Sequence, residues 1–166
     1  MKYIEMKVTG VVVDPETAAP MIMLKDAGEK EILPIWVGVM EAAAILMALE
    51  DVKPERPMTH DMTRNIITSL GSRVQKISIT DIIDHVFYAT ISLIDDAGEL
   101  VHVDSRPSDA IAVAMGANVP ILVNEKVIKK ARIVDLTSQN VKDMSTDELG
   151  TILENLSVED FGKYKM

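Results

Sequence analysis

Between Tyr3 and Trp36 apolar residues recur with the two-residue period of β-strands. Ile4, Met6 and Val8 alternate with polar neighbours, the run Val11 to Val13 follows Gly10, and PMIMLKD and EILPIWVG flank a turn at Asp26, Ala27 and Gly28. The period then changes. Ala42, Ile45, Leu46 and Leu49 fall at i, i+3, i+4 and i+7, one face of a helix favoured by its alanines, and Pro54 and Pro57 predict its end near Asp51. Met62, Ile66, Ile67 and Leu70 make a second short helical face, stopped by Gly71. VQKISITDI and HVFYATISLI return to strand patterning, with Phe87, Ala89, Ile91 and Leu93 on one side, and the turn DDAG leads to ELVHVD as a hairpin. Pro107 suits the first turn of a third helix, Gly116 its end, and VPILV a buried strand. The order of strands, two helices, strands, helix and strand predicts an α+β fold, a mixed and largely antiparallel sheet with helices packed on it.

The last thirty or so residues read as an appended helical tail. Ser145 and Glu148 fit a capping box, Leu149, Ile152, Leu153 and Leu156 share a face, and Ser157 begins another short helix through Phe161. The organisation expected is therefore a domain over residues 1–135 and a helical C-terminal tail over 136–166. The apolar face of that tail has to pack on its own domain or on a second subunit.

At 166 residues the chain can bury the core of one ordinary domain. It has no cysteine, which excludes disulfides, thiolate metal sites and a cysteine nucleophile and fits a reducing compartment. Lys2, Glu5 and Lys7 interrupt the apolar residues of MKYIEMKVTG, so no signal-peptide core is visible there, and no apolar run approaches the roughly 20 residues of a membrane helix. A cytoplasmic protein without membrane contact is expected. A hydrophobic content of 48% with eleven Met, and apolar faces on the Ala-rich and tail helices, favour a homo-oligomer, most simply a dimer.

Charge restricts the possible ligands. Seventeen Lys and Arg against 26 Asp and Glu leave a net charge of −9, whereas nucleic-acid affinity comes from basic groups that release phosphate counterions. A local basic patch or a divalent cation held by carboxylates would be needed to reverse that sign. The basic residues cluster only briefly, at Lys126, Lys129, Lys130 and Arg132, and one Trp, three Tyr and two Phe leave little base-stacking surface.

The chemistry-bearing residues gather at two polar junctions that precede helices. In VHVDSRPSD, His102 and Asp104 are two apart on a strand and project to one side with Cα atoms roughly 7 Å apart. Arg106 offers a planar fork for a phosphate oxygen or a carboxylate, in an internal ion pair or a ligand site. Asp109 lies where the helix dipole stabilises an acid, and Ser105 or Ser108 can cap, so these three carry a structural reading beside a binding one. In RPMTHD, Thr59 can act as N-cap, leaving His60 and Asp61 in the first turn. Adjacent helical positions diverge by about 100°, so these two are no preformed chelate. A histidine on a polar loop, His60 suits proton transfer or metal ligation. His85, at a turn, reads as solvated. Glu41 opens the Ala-rich helix, where capping electrostatics explain it first. If the three helix starts converge, Glu41, His60, Asp61, Asp104 and Asp109 supply ligands for a hard divalent cation, with Arg56 and Arg106 for phosphate. No Walker loop, dinucleotide fingerprint, nucleophile elbow or triad spacing is present.

The motifs LPIWVG, EAAAI, ALE, RPMTHD, FYATISL, DSRPSDAIAVA and PILV stand in an order that resembles the bifunctional nuclease domain family, over roughly residues 1–135. That resemblance implies an α+β domain, oligomeric, in a family whose plant members are associated with DNase and RNase activity. Two readings follow. In the first, the chain is a nuclease hydrolysing phosphodiester bonds of DNA or RNA with Mg²⁺ or Mn²⁺. His60, Asp61, Asp104 and Asp109 are then catalytic, Arg56, Arg106 and Ser108 bind phosphate, and Glu41, Asp104 and Asp109 hold the metal. In the second, the chain is a non-enzymatic module that binds a small anion or a protein, which the net charge and the scarcity of aromatics favour.

Overall fold

The strand-period residues at the start of the chain form β1 (Tyr3–Val13), β2 (Pro20–Asp26) and β3 (Ile32–Trp36), each antiparallel to the next. A second antiparallel meander is made by β4 (Ser72–Ile83), β5 (Val86–Asp95) and β6 (Leu100–Ser105). The short strand β7 (Ile121–Asn124) lies between the two, antiparallel to β1 and parallel to β4. The resulting order is β3-β2-β1-β7-β4-β5-β6, with β8 (Lys142–Asp143) beside Val12 and Val13 of β1. The computed structural model describes residues 2–14, 17–131 and 142–143.

Four helices complete the described part: α1 (Val39–Leu49), α2 (Thr59–Ser69), α3 (Pro107–Ala117) and α4 (Glu125–Ala131). The α+β expectation with a mixed, largely antiparallel sheet therefore holds, since β4 and β7 form the parallel pair. Helices α1 and α3 pack on each other over the sheet. Both carry alanines at the contact side of the core, Ala42, Ala43 and Ala44 on α1 and Ala110, Ala112 and Ala114 on α3, and small side chains allow helix backbones to approach. Ile45 and Ile111 fill the space beneath them with Ile77, Ile79 and Val123 of the sheet, all fully buried, and each such side chain contributes about 1.5–3 kcal/mol by leaving water.

Local geometry corrects several expectations. The stripe Met62, Ile66 and Leu70 is exposed, and α2 has no fully buried residue. Its inner side is the set His60, Thr63, Arg64 and Ile67, again at i, i+3, i+4 and i+7; the helix packs through polar stems and one isoleucine. The N-cap of α2 is Met58 rather than Thr59, and Asp61 reaches back to accept the Met58 N–H at 3.1 Å. Gly116 does not end α3, which runs through Ala117 to a left-handed cap at Asn118. Instead, a Cβ at Gly116 would collide with the Arg64 guanidinium, so glycine there admits the arginine of α2 against α3. Gly71, by contrast, adopts φ of 73° just past α2, the role expected of it.

The sequence reading missed α4, in which three of the clustered lysines lie. Lys126 and Lys130 donate to the two oxygens of Asp81 on β4 at 2.8 and 2.9 Å, and these bonds hold the Asp81 carboxyl well below the usual carboxylate range. That basic cluster is thus largely committed to docking a helix. Lys142 and Asp143 form β8, ahead of the helices expected over Ser145–Phe161, which lie outside the described residues, as does Arg132. No helix among the described residues is long and apolar enough to cross a membrane.

Candidate functional site

The sheet curls, so that Trp36 at the end of β3, Phe87 near the start of β5 and the segment Arg106–Ser108 line one small recess. Helix α1 begins directly after β3, and the curl therefore brings its first turn to the start of α3. The Arg106 Nη1 lies 3.0 Å from Glu41 Oε1. On its other side the same guanidinium meets Asp109, with Nε to Oδ2 at 2.6 Å and Nη2 to Oδ1 at 2.9 Å. Hydrogen bonding to Asp109, reinforced by the Glu41 charge and opposed by partial burial, raises Arg106 above its ordinary guanidinium range. The internal ion pair considered for Arg106 is thus present, with Asp109 and Glu41 as its carboxylates.

Glu41 is held toward this arginine by its own helix start. It occupies the third position of α1 and leans back over the N-cap Gly38, where a Cβ would collide with its carboxylate. A side chain at position 38 would push Glu41 from where it meets Arg106.

Around this ion-paired group lies a cavity of about 560 Å³. His60 and Thr63 of α2, Asp104 of β6, and Arg106, Ser108 and Asp109 at the start of α3 contribute its polar lining, with Glu41 from α1. Its apolar floor includes Ile91, Val103 and Val113. The two polar junctions and the third helix start converge here. Asp104 is exposed and, among the described residues, has no hydrogen-bond or ion-pair partner. Ser108 is buried in the first turn of α3 and caps nothing through its side chain; the N-cap is Arg106.

Three of the candidates lie elsewhere. Asp61 faces a neighbouring cavity of about 540 Å³, where Arg64 Nη2 approaches its Oδ1 at 3.3 Å and His60 Nε2 its Oδ2 at 3.8 Å. His60 lines both cavities and forms part of the wall between them. Arg56 is exposed on the loop before α2 and lines neither cavity. His102 turns to the sheet, its Nδ1 3.1 Å from the hydroxyl of the buried Ser92 on β5. Arg64 is the residue that sequence reasoning passed over. Its spacing of i+3 from Asp61 and i+4 from His60 was the available signal.

The metal set expected from Glu41, Asp104 and Asp109 meets a specific obstacle. Arg106 stands between Glu41 and Asp109, and among the described residues no three His, Asp or Glu side chains are grouped so as to hold a metal ion.

The comparisons with known proteins agree with this architecture. The model of the bifunctional nuclease domain matches residues 22–135, which include every residue of the cavity. An uncharacterized protein of Mycobacterium tuberculosis is 36% identical over 160 residues, covering 96% of this chain and 92% of the relative. Bifunctional nuclease 1 of Arabidopsis thaliana is 31% identical over 109 residues, 64% of this chain and 34% of the plant protein. Bifunctional nuclease 2 of Oryza sativa subsp. japonica is 32% identical over 117 residues, 68% of this chain and 36% of that protein. The chain thus spans about a third of the plant relatives and nearly all of the mycobacterial one. With the match extending over both helix starts and the cavity they enclose, the chain belongs to the bifunctional nuclease domain family.

Proposed function

We propose that the chain hydrolyses phosphodiester bonds of DNA or RNA in the cavity between α1, α2, β6 and α3. The observation that supports this most directly is the meeting of His60, Asp104 and Ser108 in the lining of one cavity, beside an arginine fixed in orientation by Asp109 and Glu41. In this reading Arg106 receives a phosphate oxygen, since its fork is immobilised before the substrate arrives. His60 moves the proton of the attacking water or the leaving oxygen, and Ser108 contributes to the phosphate side of the cavity. Asp61 orients His60 and Arg64 from the neighbouring cavity. Asp109 acts through Arg106 rather than on the substrate.

The carboxylates make the cavity acidic, so phosphate entry requires a counter-charge. Were Mg²⁺ or Mn²⁺ bound, Asp104 would hold it and the ion would supply that counter-charge, since Mg²⁺ commonly binds through one or two carboxylates with phosphate. The protein acts, in this proposal, as a cytoplasmic homodimer.

Cleavage of labelled single-stranded DNA and RNA tests the reading, with Mg²⁺, with Mn²⁺ and with EDTA, beside Asp104→Ala and His60→Ala. Metal-dependent cleavage lost in both variants is expected. A non-enzymatic anion- or protein-binding module is the second reading, favoured by the neutralisation of Arg106 by two carboxylates. Absence of cleavage and of oligonucleotide binding under every condition would establish that second reading over the first.

A further inference from the structure

The outer side of β6 presents a complete set of backbone hydrogen-bonding groups. In the hairpin joining β5 to β6 the Asp95 N–H bonds the Glu99 carbonyl at 3.1 Å. The register then pairs Leu93 with Val101, Ile91 with Val103 and Ala89 with Ser105. Antiparallel ladders alternate hydrogen-bonded and non-hydrogen-bonded pairs. Val101, Val103 and Ser105 therefore direct their backbone groups at β5, while Leu100, His102 and Asp104 direct theirs outward. The 3.1 Å contact between the Ser92 and His102 side chains agrees, because side chains come closest at non-hydrogen-bonded pairs.

Among the described residues β6 pairs only with β5, and it ends the sheet. Leu100, Val101 and Val103 stay 54%, 46% and 42% exposed. The strand contains neither lysine nor proline, and its pairing with β5 has no bulge. Those are the usual means by which a sheet protects an open edge, and their absence leaves a strand suited to pair with another.

We propose that β6 joins two copies of this chain, antiparallel about a two-fold axis at Val103, so that their sheets become one. The proposal rests on the dimer reading above and gives it a surface and a register. A strand meeting itself about a two-fold axis must run antiparallel, and side-chain alternation requires residues of the same face to meet. Every residue-centred axis satisfies this, and those at His102 and Val103 overlap most of the exposed strand. Centred on His102, the two imidazoles would oppose each other and Asp104 would face the partner's Leu100. Centred on Val103, His102 faces the partner's Asp104 in both halves, with outward backbone groups matched and an imidazole N–H donor opposite a carboxylate acceptor. Donor–acceptor complementarity selects the second register, and Val103 then packs on its own copy. Because Val103 and Asp104 also line the cavity, the two cavities flank the joined strands, each bordered by the other copy.

The absence of cysteine makes the register directly testable. In V103C the single thiol of each copy stands at a non-hydrogen-bonded pair, where Cα atoms lie about 4.5 Å apart, within the roughly 4.4–6.8 Å that a disulfide spans. Mild oxidation of purified full-length V103C is expected to give a covalent dimer on a non-reducing gel, and V101C is not. Light scattering at tens of micromolar should give the wild-type chain twice its 18.3 kDa mass. H102D should halve that mass and H102D/D104H restore it, with circular dichroism melts reporting whether each variant is folded. None of these readouts uses cleavage, so loss of the nuclease reading leaves them intact. A monomeric wild-type chain would overturn the proposal and leave the edge to a strand of another protein. A dimer that persists in folded H102D, or that cross-links through V101C and not V103C, would equally overturn it. Should H102D fail to fold, the comparison of V103C with V101C decides alone.

Discussion

Arg106 and Asp109 meet as two parallel hydrogen bonds across one turn of α3, Nε to Oδ2 at 2.6 Å and Nη2 to Oδ1 at 2.9 Å. An ammonium cannot reproduce that fork. Arg106→Lys is therefore expected to weaken oligonucleotide binding at least tenfold while keeping the charge. Because both partners are substantially exposed, the stability cost should stay within about 1 kcal/mol. Fluorescence titration beside a thermal melt separates the two effects, and a large loss of stability with unchanged binding would make the pair purely structural.

Gly38→Ala should act on the site at one remove. Its Cβ would displace the Glu41 carboxylate from the N-cap and so from Arg106, without touching the cavity itself. The expected result is reduced cleavage, matched by Glu41→Ala and lowered no further in Gly38→Ala/Glu41→Ala, because both changes remove the same contact with Arg106. Equal activity in wild type and Gly38→Ala would show that Glu41 does not position Arg106.

The exposed stripe of α2 and the buried side of α3 predict opposite responses. Ile66→Ser, on the exposed stripe, should change stability by less than about 0.5 kcal/mol. Ile111→Ala, a fully buried truncation on α3, should cost about 2–5 kcal/mol through lost contacts and a residual cavity. Denaturant melts of the two variants give both numbers; a loss above 2 kcal/mol for Ile66→Ser would mean that something covers α2 in solution.

Acid should loosen α4 before the core. Asp81 is depressed by its two lysines, so its contribution is present above the ordinary carboxylate pKa of about 4 and is lost as pH falls through its lowered folded value. Asp81→Asn should therefore melt below wild type at pH 7, with the gap closing from pH 4 downward. Glu125 is depressed by Lys2 in the same direction, which leaves the variant a residual acid dependence. A gap that stays constant down to pH 2 would show that the Asp81 charge does not hold the helix.

Strand and helix periods made most of the sheet legible, because alternating burial and the helical i, i+3, i+4 spacing follow from backbone geometry alone. The convergence of Glu41, His60, Asp104, Arg106 and Asp109 was also readable, as three polar helix starts with nowhere else to bury their groups. What the chain did not disclose was direction. Met62, Ile66 and Leu70 look like an inner stripe by composition, yet Arg64 resting on Gly116 turns α2 the other way. Likewise the lysines of α4 read as a polyanion surface until Asp81, distant in sequence, is seen to take two of them. Pairings of that range depend on tertiary packing, which no local period encodes.

The position of β7 sets the order in which this molecule can become whole. The two meanders, β1 to β3 and β4 to β6, each consist of neighbours in sequence and can close as soon as they leave the ribosome. Nothing but β7 bridges them within the described sheet, through Ile121–Asn124 on one side and Ile121–Val123 on the other. Until that four-residue strand is translated, the nascent chain holds two ribbons with raw inner edges. Closure of such distant contacts is slow, and the interval is the one in which chaperones have most to protect.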